Sequence, residues 1–176
     1  MRILVVLFVL LISSYAGAEP GDNGMDDRIL PDPVLTPGVI NPAITQDNIH
    51  TTICDPKHIW KTKYIRPPVK YTQALKHKQL DEYGYTDKDM RNYEEDHLIS
   101  LQLGGSPYDP KNLWPESRIS PPNMNALHKD KVENFLRSMV CGEGITLKEA
   151  QDQIAKDWTV AYKWMIDAGY VDPYDP

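Results

Sequence analysis

Asp96 and His97 form the adjacent pair of side chains in this sequence that is best suited to hydrolytic chemistry. A neutral imidazole can take a proton from water, and a carboxylate beside it can hold a divalent ion such as Mg²⁺. On an extended segment the two side chains point to opposite faces, so a bend or bulge must bring them to one site. An isolated Asp-His pair is usually an ordinary hydrogen-bonded pair. Whether this pair has a catalytic role therefore depends on the surrounding sequence.

The residues after this pair predict a strand, a loop, a second strand and a helix. Residues 93–103 are typical of a strand or extended segment, and Gly104-Gly105 allows the chain to reverse sharply. Residues 112–114 then form a short returning strand that we expect Pro115 to end. This order brings polar side chains from both strands and from the following helix to one place.

Asn112 lies at the start of the returning strand. Its amide can hold the His97 ring in a productive orientation through a hydrogen bond. The alternative is a turn residue that caps its own backbone.

Two of the predicted helices flank these strands. The first begins at the N-cap Thr72, continues to about Tyr83 and ends at Gly84. The second is opened by Pro121-Pro122, with Asn123 as the N-cap, and ends at Cys141-Gly142.

A third helix follows the second. Thr146 and Glu149 form its capping box, and it ends before Gly169. Its buried stripe follows a spacing of three to four residues and consists of Leu147, Ala150, Ile154, Trp158, Ala161 and Met165.

The start of the chain is typical of an exported protein. Residues 1–18 combine a basic start, a short apolar run and an Ala-Gly-Ala site, which predicts a signal peptide cleaved after Ala18. Residues 19–50 are acidic and rich in proline and glycine, so we expect a flexible or extended arm. The domain then occupies residues 51–168, begins with a short strand at 52–54, and leaves a tail at 169–176. We expect a soluble, periplasmic or secreted monomer.

The chain has two cysteines, Cys54 and Cys141. In an exported protein an isolated pair favours a disulfide over a metal site, and no Cys-x-x-Cys pair is present to hold zinc. The alternative is two free buried thiols. A bridge across a loop of this length contributes up to about 4–5 kcal/mol in the chain-entropy model.

The net charge of −6 argues against nonspecific binding to nucleic acid, but the charge is unevenly distributed. Residues 57–78 contain seven Lys and Arg residues and no acidic residue, with Tyr71 among the interleaved aromatic side chains. Such a stretch can contact phosphates and bases, or it can be an ordinary solvated face. The candidate nucleic-acid-binding residues are Lys61, Lys63, Arg66, Lys76 and Lys78.

The window around Asp96-His97 resembles the ββα-metal finger of HNH nucleases, and more narrowly a group of small bacterial HNH-like proteins. The likeness covers about residues 51–163 as many separate short matches in order. Outside the window at 93–116 they are Ile53-Cys54, Arg66-Pro67-Pro68, Tyr71-Thr72, Leu75-Lys76, Lys129-Asp130, Glu133-Asn134, Leu136, Val140-Cys141-Gly142, Glu149-Ala150-Gln151 and Asp157-Trp158.

The resemblance implies roles for individual residues. His97 matches the general base, Asp96 the adjacent metal-binding acid, and Asn112 the central asparagine. The residue expected from the helix is Asn125 or His128, one turn apart, and imidazole is the stronger ligand. Prolines occupy the spacing that HNH proteins usually give this residue.

These observations predict an α+β domain with a ββα-metal core, flanking helices, one disulfide and an extended N-terminal arm. The expected function is an endonuclease that cleaves DNA or RNA with one divalent ion, Mg²⁺ first and Mn²⁺, Ni²⁺ or Zn²⁺ as alternatives. A non-catalytic exported binding module with the same fold is the rival function. A structural zinc site is weaker because a fourth ligand is lacking. The sequence names no inhibitor partner.

Overall fold

The computed structural model describes residues 28–57, 63 and 65–171. The predicted signal peptide, the beginning of the arm, Lys61 and most of the tail lie outside the described residues. None of the helices in the described part of the chain has the length and apolar character needed to cross a bilayer.

The described residues form an α+β fold. Its α-helices and strands follow in the order α1 (Val69–Glu82), β1 (Tyr93–His97), β2 (Leu113–Ser117), α2 (Ala126–Cys141) and α3 (Leu147–Asp167). Short 3-10 turns lie between them. The two strands pair antiparallel, with Tyr93 opposite Ser117 and His97 opposite Leu113.

Strand β1 is shorter than the sequence predicts, and strand β2 is longer. β1 ends at His97, and a 3-10 turn at Leu101–Leu103 replaces the rest of the expected strand. β2 continues through Pro115, which lies opposite Glu95. Leu98 N donates to Asn112 O, so these two residues form a hydrogen-bonded pair. Along an antiparallel ladder, hydrogen-bonded and non-hydrogen-bonded residue pairs alternate from that pair onward. Position 115 falls on a non-bonded pair, where the missing N–H of proline would point away from β1 and costs no ladder bond.

Helix α2 begins later than predicted, and α1 earlier. The N-cap of α2 is Asn125, not Asn123, and its side chain accepts from Leu127 N. α1 starts directly after Pro68 rather than after Thr72. The predicted ends at Gly84 and Gly142 are confirmed, since α1 stops at Glu82 and α2 at Cys141.

The predictions for α3 are confirmed. Thr146 and Glu149 form the capping box, and the six predicted stripe residues are all buried. Helical geometry breaks once, at Asp157, whose carboxylate accepts from Thr159 N and so caps the second half of the helix. The stripe packs against α2 in the larger of two apolar clusters.

The segment predicted as a flexible arm is packed against the domain from Arg28 onward. Ile29 O accepts from the Trp158 indole, Thr36 is fully buried, and Ile40 forms a bridge with Gly105. Individual side-chain and backbone contacts, which leave no periodic pattern in the sequence, hold this part of the segment that was predicted to be a flexible or extended arm. The short strand expected at 52–54 is also absent. There Cys54 N bonds back to Ile49 O in a turn.

The predicted disulfide between Cys54 and Cys141 is present. It links the turn after the N-terminal segment to the last residue of α2. Ile53 beside it is fully buried in the larger cluster, so the bridge joins two parts of one core.

Candidate active site

His97 is the last residue of β1, and its ring is held by one backbone contact. Its Nε2 lies 3.1 Å from Pro107 O in the loop between the strands. A carbonyl oxygen only accepts, so Nε2 carries the proton and the neutral ring keeps its lone pair on Nδ1. Among the described residues no hydrogen bond engages Nδ1.

The environment of His97 favours the neutral ring. Burial lowers its pKa below the ordinary 6.5, and the nearby charge of Asp96 only partly opposes this. At neutral pH the imidazole is therefore uncharged, with a defined tautomer. This is the state in which a histidine can take a proton from water.

Asn112 acts on the loop rather than on the His97 ring. Its Oδ1 accepts from Ile99 N at 3.0 Å and Val39 N at 3.3 Å. Its Nδ2 donates to Ile99 O and Ser106 O, each at 3.0 Å. The side chain is fully buried and its amide bonds only to backbone. It thereby fixes the loop one residue before Pro107, whose carbonyl holds His97.

The Gly-Gly pair predicted to reverse the chain does so in this loop. Gly104 has a φ of 75°, which glycine adopts at no cost. At Gly105 a Cβ would lie 1.7 Å from Ile99 O, so a side chain has no room there. The glycines therefore let the loop approach Asn112 closely enough for the amide to bond both sides of it.

Replacement of Asn112 by alanine is expected to destabilise the fold by roughly 3–5 kcal/mol, because buried Ile99 and Ser106 backbone groups lose their partners. Chemical denaturation measures the change. The exposed Asn123→Ala variant is the matched control and should stay within about 0.5 kcal/mol of the wild type. An Asn112→Ala protein as stable as this control would contradict the role of the amide.

Asp96 is engaged by a lysine to which the sequence alone gave no role. Its Oδ2 lies 2.6 Å from Lys129 Nζ on α2. The same ammonium donates to His97 O at 2.9 Å and to Glu133 Oε1 at 2.6 Å. Burial alone would raise the pKa of Asp96, but the attraction of Lys129 outweighs it and lowers the pKa. Asp96 is thus the charged partner of a buried cation.

Two further carboxyl groups surround this ion pair. Glu116 on β2 is 2% exposed, and its carboxyl group has a side-chain hydrogen bond with the carboxyl group of Asp96. Burial raises the pKa of Glu116 well above 4.5, and raises that of Glu133 to about 8. We call Asp96, Glu116 and Glu133 the acid pocket, because all three act on Lys129.

Asn125 and His128, the predicted metal ligands of the helix, are engaged at its N-terminus. Asn125 Oδ1 caps the helix and lies 2.8 Å from His128 Nδ1. The His128 ring packs edge-on against Tyr162. Among the described residues no three His, Cys, Asp or Glu side chains are placed to share a metal ion. The predicted donor set, with Asp96 bound to Lys129 and Asn125 used as a cap, does not fit a divalent ion.

The candidate nucleic-acid-binding residues have different environments. Lys63 and Arg66 are exposed, and Lys78 is exposed but paired with Glu82 at 2.7 Å. Lys76 is 5% exposed, and its ammonium donates to Met90 O and Tyr93 O. The ammonium of Lys76 therefore joins α1 to the start of β1.

The structure places Arg66 and two tyrosines near His97. Arg66 is close enough for its charge to lower the pKa of His97 and of Asp130. Tyr108 follows Pro107 directly and is 49% exposed. The Tyr71 hydroxyl donates to Tyr108 O at 2.7 Å, and the two rings lie 5.9 Å apart. A half-buried tyrosine, an exposed tyrosine and a cation thus lie near the histidine.

Sequence reasoning gave no role to Lys129, Glu116 or Tyr108. A signal for Lys129 was present, since it precedes Val132 and Leu136 by three and seven residues on the buried face of α2 and precedes Glu133 by four. Tyr108 had no comparable signal, because it stands in a turn-rich loop.

The fold and the site define an α+β domain with a buried, neutral histidine at a strand end, beside a lysine-filled acid pocket. No family model matches the chain, and neither the curated proteins nor the solved structures contain a match.

Proposed function

We propose that this chain is an exported endonuclease that hydrolyses phosphodiester bonds of DNA or RNA, with His97 as the general base. The observation that carries the proposal is the state of His97, which is neutral, held through Nε2 and without a hydrogen-bond partner on Nδ1 among the described residues. The order of strand, loop, strand and helix around it agrees with the resemblance to HNH nucleases. The disulfide is consistent with export.

In the proposed reaction His97 Nδ1 takes a proton from water as the water oxygen attacks phosphorus. The bond from phosphorus to the leaving oxygen breaks, and this oxygen takes a proton from solvent. The imidazolium that forms lies next to the Asp96 carboxylate, which favours the charged ring. The proposal assigns no step to a divalent ion, because the predicted ligand set does not fit one.

The surface beside His97 is suited to a nucleic-acid strand. Arg66 offers a cation for a phosphate, and Tyr71 with Tyr108 offers aromatic faces on which a base can stack. Lys63 extends the positive charge along the chain toward the part of the basic segment outside the described residues.

The second candidate function is a non-catalytic module that binds nucleic acid. The specific observation in its favour is the pairing of Asp96 with Lys129, which occupies the carboxylate that the HNH resemblance assigns to the metal. Such a module would keep the surface around Arg66 and Tyr108 but would not cleave.

Incubation of the exported chain with supercoiled plasmid and with single-stranded RNA separates the two functions. The assay is run in EDTA and with Mg²⁺, Mn²⁺ or Ni²⁺. Nicking in any of these conditions that is lost in a His97→Ala variant supports the endonuclease. Retarded migration of the nucleic acid without cleavage under every condition overturns it in favour of the binding module.

Replacement of Arg66 by alanine is expected to weaken binding to DNA in a salt-dependent way. A lost phosphate contact should reduce the slope of log affinity against log salt concentration by about one. Fluorescence anisotropy with a labelled oligonucleotide at several salt concentrations measures the slope. Lys163→Ala is the control, since Lys163 is exposed and paired with Asp167 on α3. Equal slopes for the two variants would exclude Arg66 from the interface.

A further inference from the structure

The N-terminal segment at residues 36–41 bonds to both sides of the loop between the two strands. Asn41 N donates to Gly104 O at 2.8 Å, on the part of the loop that leaves β1. Gly38 N donates to Lys111 O at 2.9 Å, on the part that returns to β2. The segment therefore joins the two halves of the loop that carries the contact to the histidine.

Val39 holds the residue that precedes Pro107. Its carbonyl accepts from Ser106 N at 2.7 Å, and its own N–H donates to Asn112 Oδ1 at 3.3 Å. The Ser106 carbonyl in turn accepts from Asn112 Nδ2 at 3.0 Å. Both backbone groups of Ser106 are thus held, and the proline ring fixes φ at the next residue. Val39 and Asn112 together therefore set the place of the Pro107 carbonyl from the N-terminal side.

Thr36 anchors the start of this segment in the core. It is fully buried, and its Oγ1 donates to Leu113 O at 3.2 Å and accepts from the Tyr83 hydroxyl at 2.6 Å. Leu113 is the first residue of β2. The segment is thus attached beside the strand on which the loop ends, which gives Val39 a defined place from which to hold the loop.

We infer that residues 36–41 position His97: by holding the loop at Ser106 they fix the carbonyl to which the imidazole donates. The inference rests on the proposed function for its catalytic consequence, since a rotated ring no longer presents Nδ1 to the attacking water. It requires no contact between residues 36–41 and the substrate, because these residues act through the loop.

Gly38 allows the segment to follow its path along the loop. It has a φ of 86°, which a residue with a branched side chain strongly disfavours. A Cβ added there would lie 3.1 Å from Ile99 Cδ1. Ile99 also exchanges two hydrogen bonds with the Asn112 amide, so crowding at Ile99 acts on the loop as well. A valine at position 38 should therefore move residues 36–41 away from the loop.

The test compares the His97 ring in wild type, Gly38→Val and Gly169→Val by ¹⁵N nuclear magnetic resonance at pH 8, with denaturation curves to show that each protein is folded. Gly169 is the matched control, since its φ is 64° and no atom of the described residues lies within 4 Å of an added Cβ. We expect wild type and Gly169→Val to carry the ring proton on Nε2 alone. Gly38→Val should show both tautomers, with an Nε2 proton that exchanges with water roughly tenfold faster.

The catalytic consequence is measured in the same three proteins. At saturating nucleic acid the cleavage rate of Gly38→Val should fall roughly 10²-fold, the usual effect of a misplaced catalytic group. Its affinity for uncleaved DNA should stay near that of wild type, because Lys63 and Arg66 lie outside the loop. Gly169→Val should cleave at the wild-type rate.

A folded Gly38→Val protein whose His97 ring keeps the single Nε2 tautomer overturns the inference. A changed ring together with an unchanged cleavage rate overturns it as well. If wild type cleaves no nucleic acid, the proposed function fails, and the ring measurement still decides whether residues 36–41 position His97.

Thr36→Val takes the place of Gly38→Val if the latter does not fold. Valine is close to threonine in shape and removes only the hydroxyl that anchors the segment. The same mixture of tautomers is expected, and a ring identical to that of wild type would contradict the positioning role.

Discussion

Replacement of His97 by alanine is expected to reduce the rate of phosphodiester cleavage by about 10²- to 10⁴-fold, the usual contribution of a positioned general base. The ring supplies the lone pair at Nδ1, while the bond from Nε2 to Pro107 O only orients it. Alanine removes both the base and the orientation. Initial rates of plasmid nicking at pH 7 measure the loss.

His77→Ala is the matched control for this prediction. His77 is exposed on α1, so its loss should leave both the cleavage rate and the fold unchanged. Binding of uncleaved DNA should also be unchanged in His97→Ala, because His97 is buried and the surface cations remain. Cleavage by His97→Ala at the wild-type rate would remove the histidine from the mechanism.

The pH dependence of the same assay follows from the environment of His97. The base must be neutral, and burial holds its pKa below 6.5. The rate should therefore be at its plateau at pH 7, remain high in mildly acidic solution, and fall as the pH drops through the pKa of the folded protein. A rate that rises as the solution becomes more acidic than pH 6 would contradict a neutral base.

Removal of the Cys54–Cys141 disulfide, in the double variant Cys54→Ser with Cys141→Ser, is expected to lower stability by up to about 4–5 kcal/mol. The bridge closes a loop with a sequence separation of 87 residues, so it restricts the unfolded chain strongly. For a domain of this size the melting temperature should fall by roughly 10–18 °C. Thermal unfolding followed by circular dichroism measures the shift.

Reductant provides the control for the disulfide prediction. It should lower the melting temperature of wild type to that of the double variant and leave the variant unchanged. The core around Ile53 is the same in both proteins, so an additional effect on the variant would point to packing rather than to the crosslink. An unchanged melting temperature in reduced wild type would contradict the prediction.

The parts of the fold that sequence reasoning predicted correctly depend on local patterns. The capping box at Thr146 and the stripe of α3 were predictable because helix geometry relates residues three and four apart. The end of α2 was predictable from the local Cys141-Gly142 sequence. The cysteine pairing was predictable because the chain contains only two cysteines. The start of α2 was predicted at Asn123 because Pro121-Pro122 precedes it, but Asn125, which is an equally good cap, takes this place.

The sequence pointed to a centre for the candidate site but not to the residues that surround it. Residue type and neighbours pointed to His97, and the structure gives this histidine a held ring and a neutral state. Lys76 was assigned to the nucleic-acid interface because it belongs to the basic segment at residues 57–78, which contains no acidic residue. Its burial depends on two carbonyls from a turn and a strand that lie 14 and 17 residues away in sequence. No local pattern encodes such a contact.

The sequence by itself determined the order of strands and helices, the disulfide pair and the position of a histidine suited to acid–base chemistry. Each of these follows from residues that are close along the chain or from residue types that have few alternatives. Only the tertiary structure decided what surrounds that histidine. It positioned α2 so that Lys129 reaches Asp96 across 33 residues of sequence. The physical reason is that a buried charge must be compensated by whichever groups folding brings near, wherever they lie in the chain.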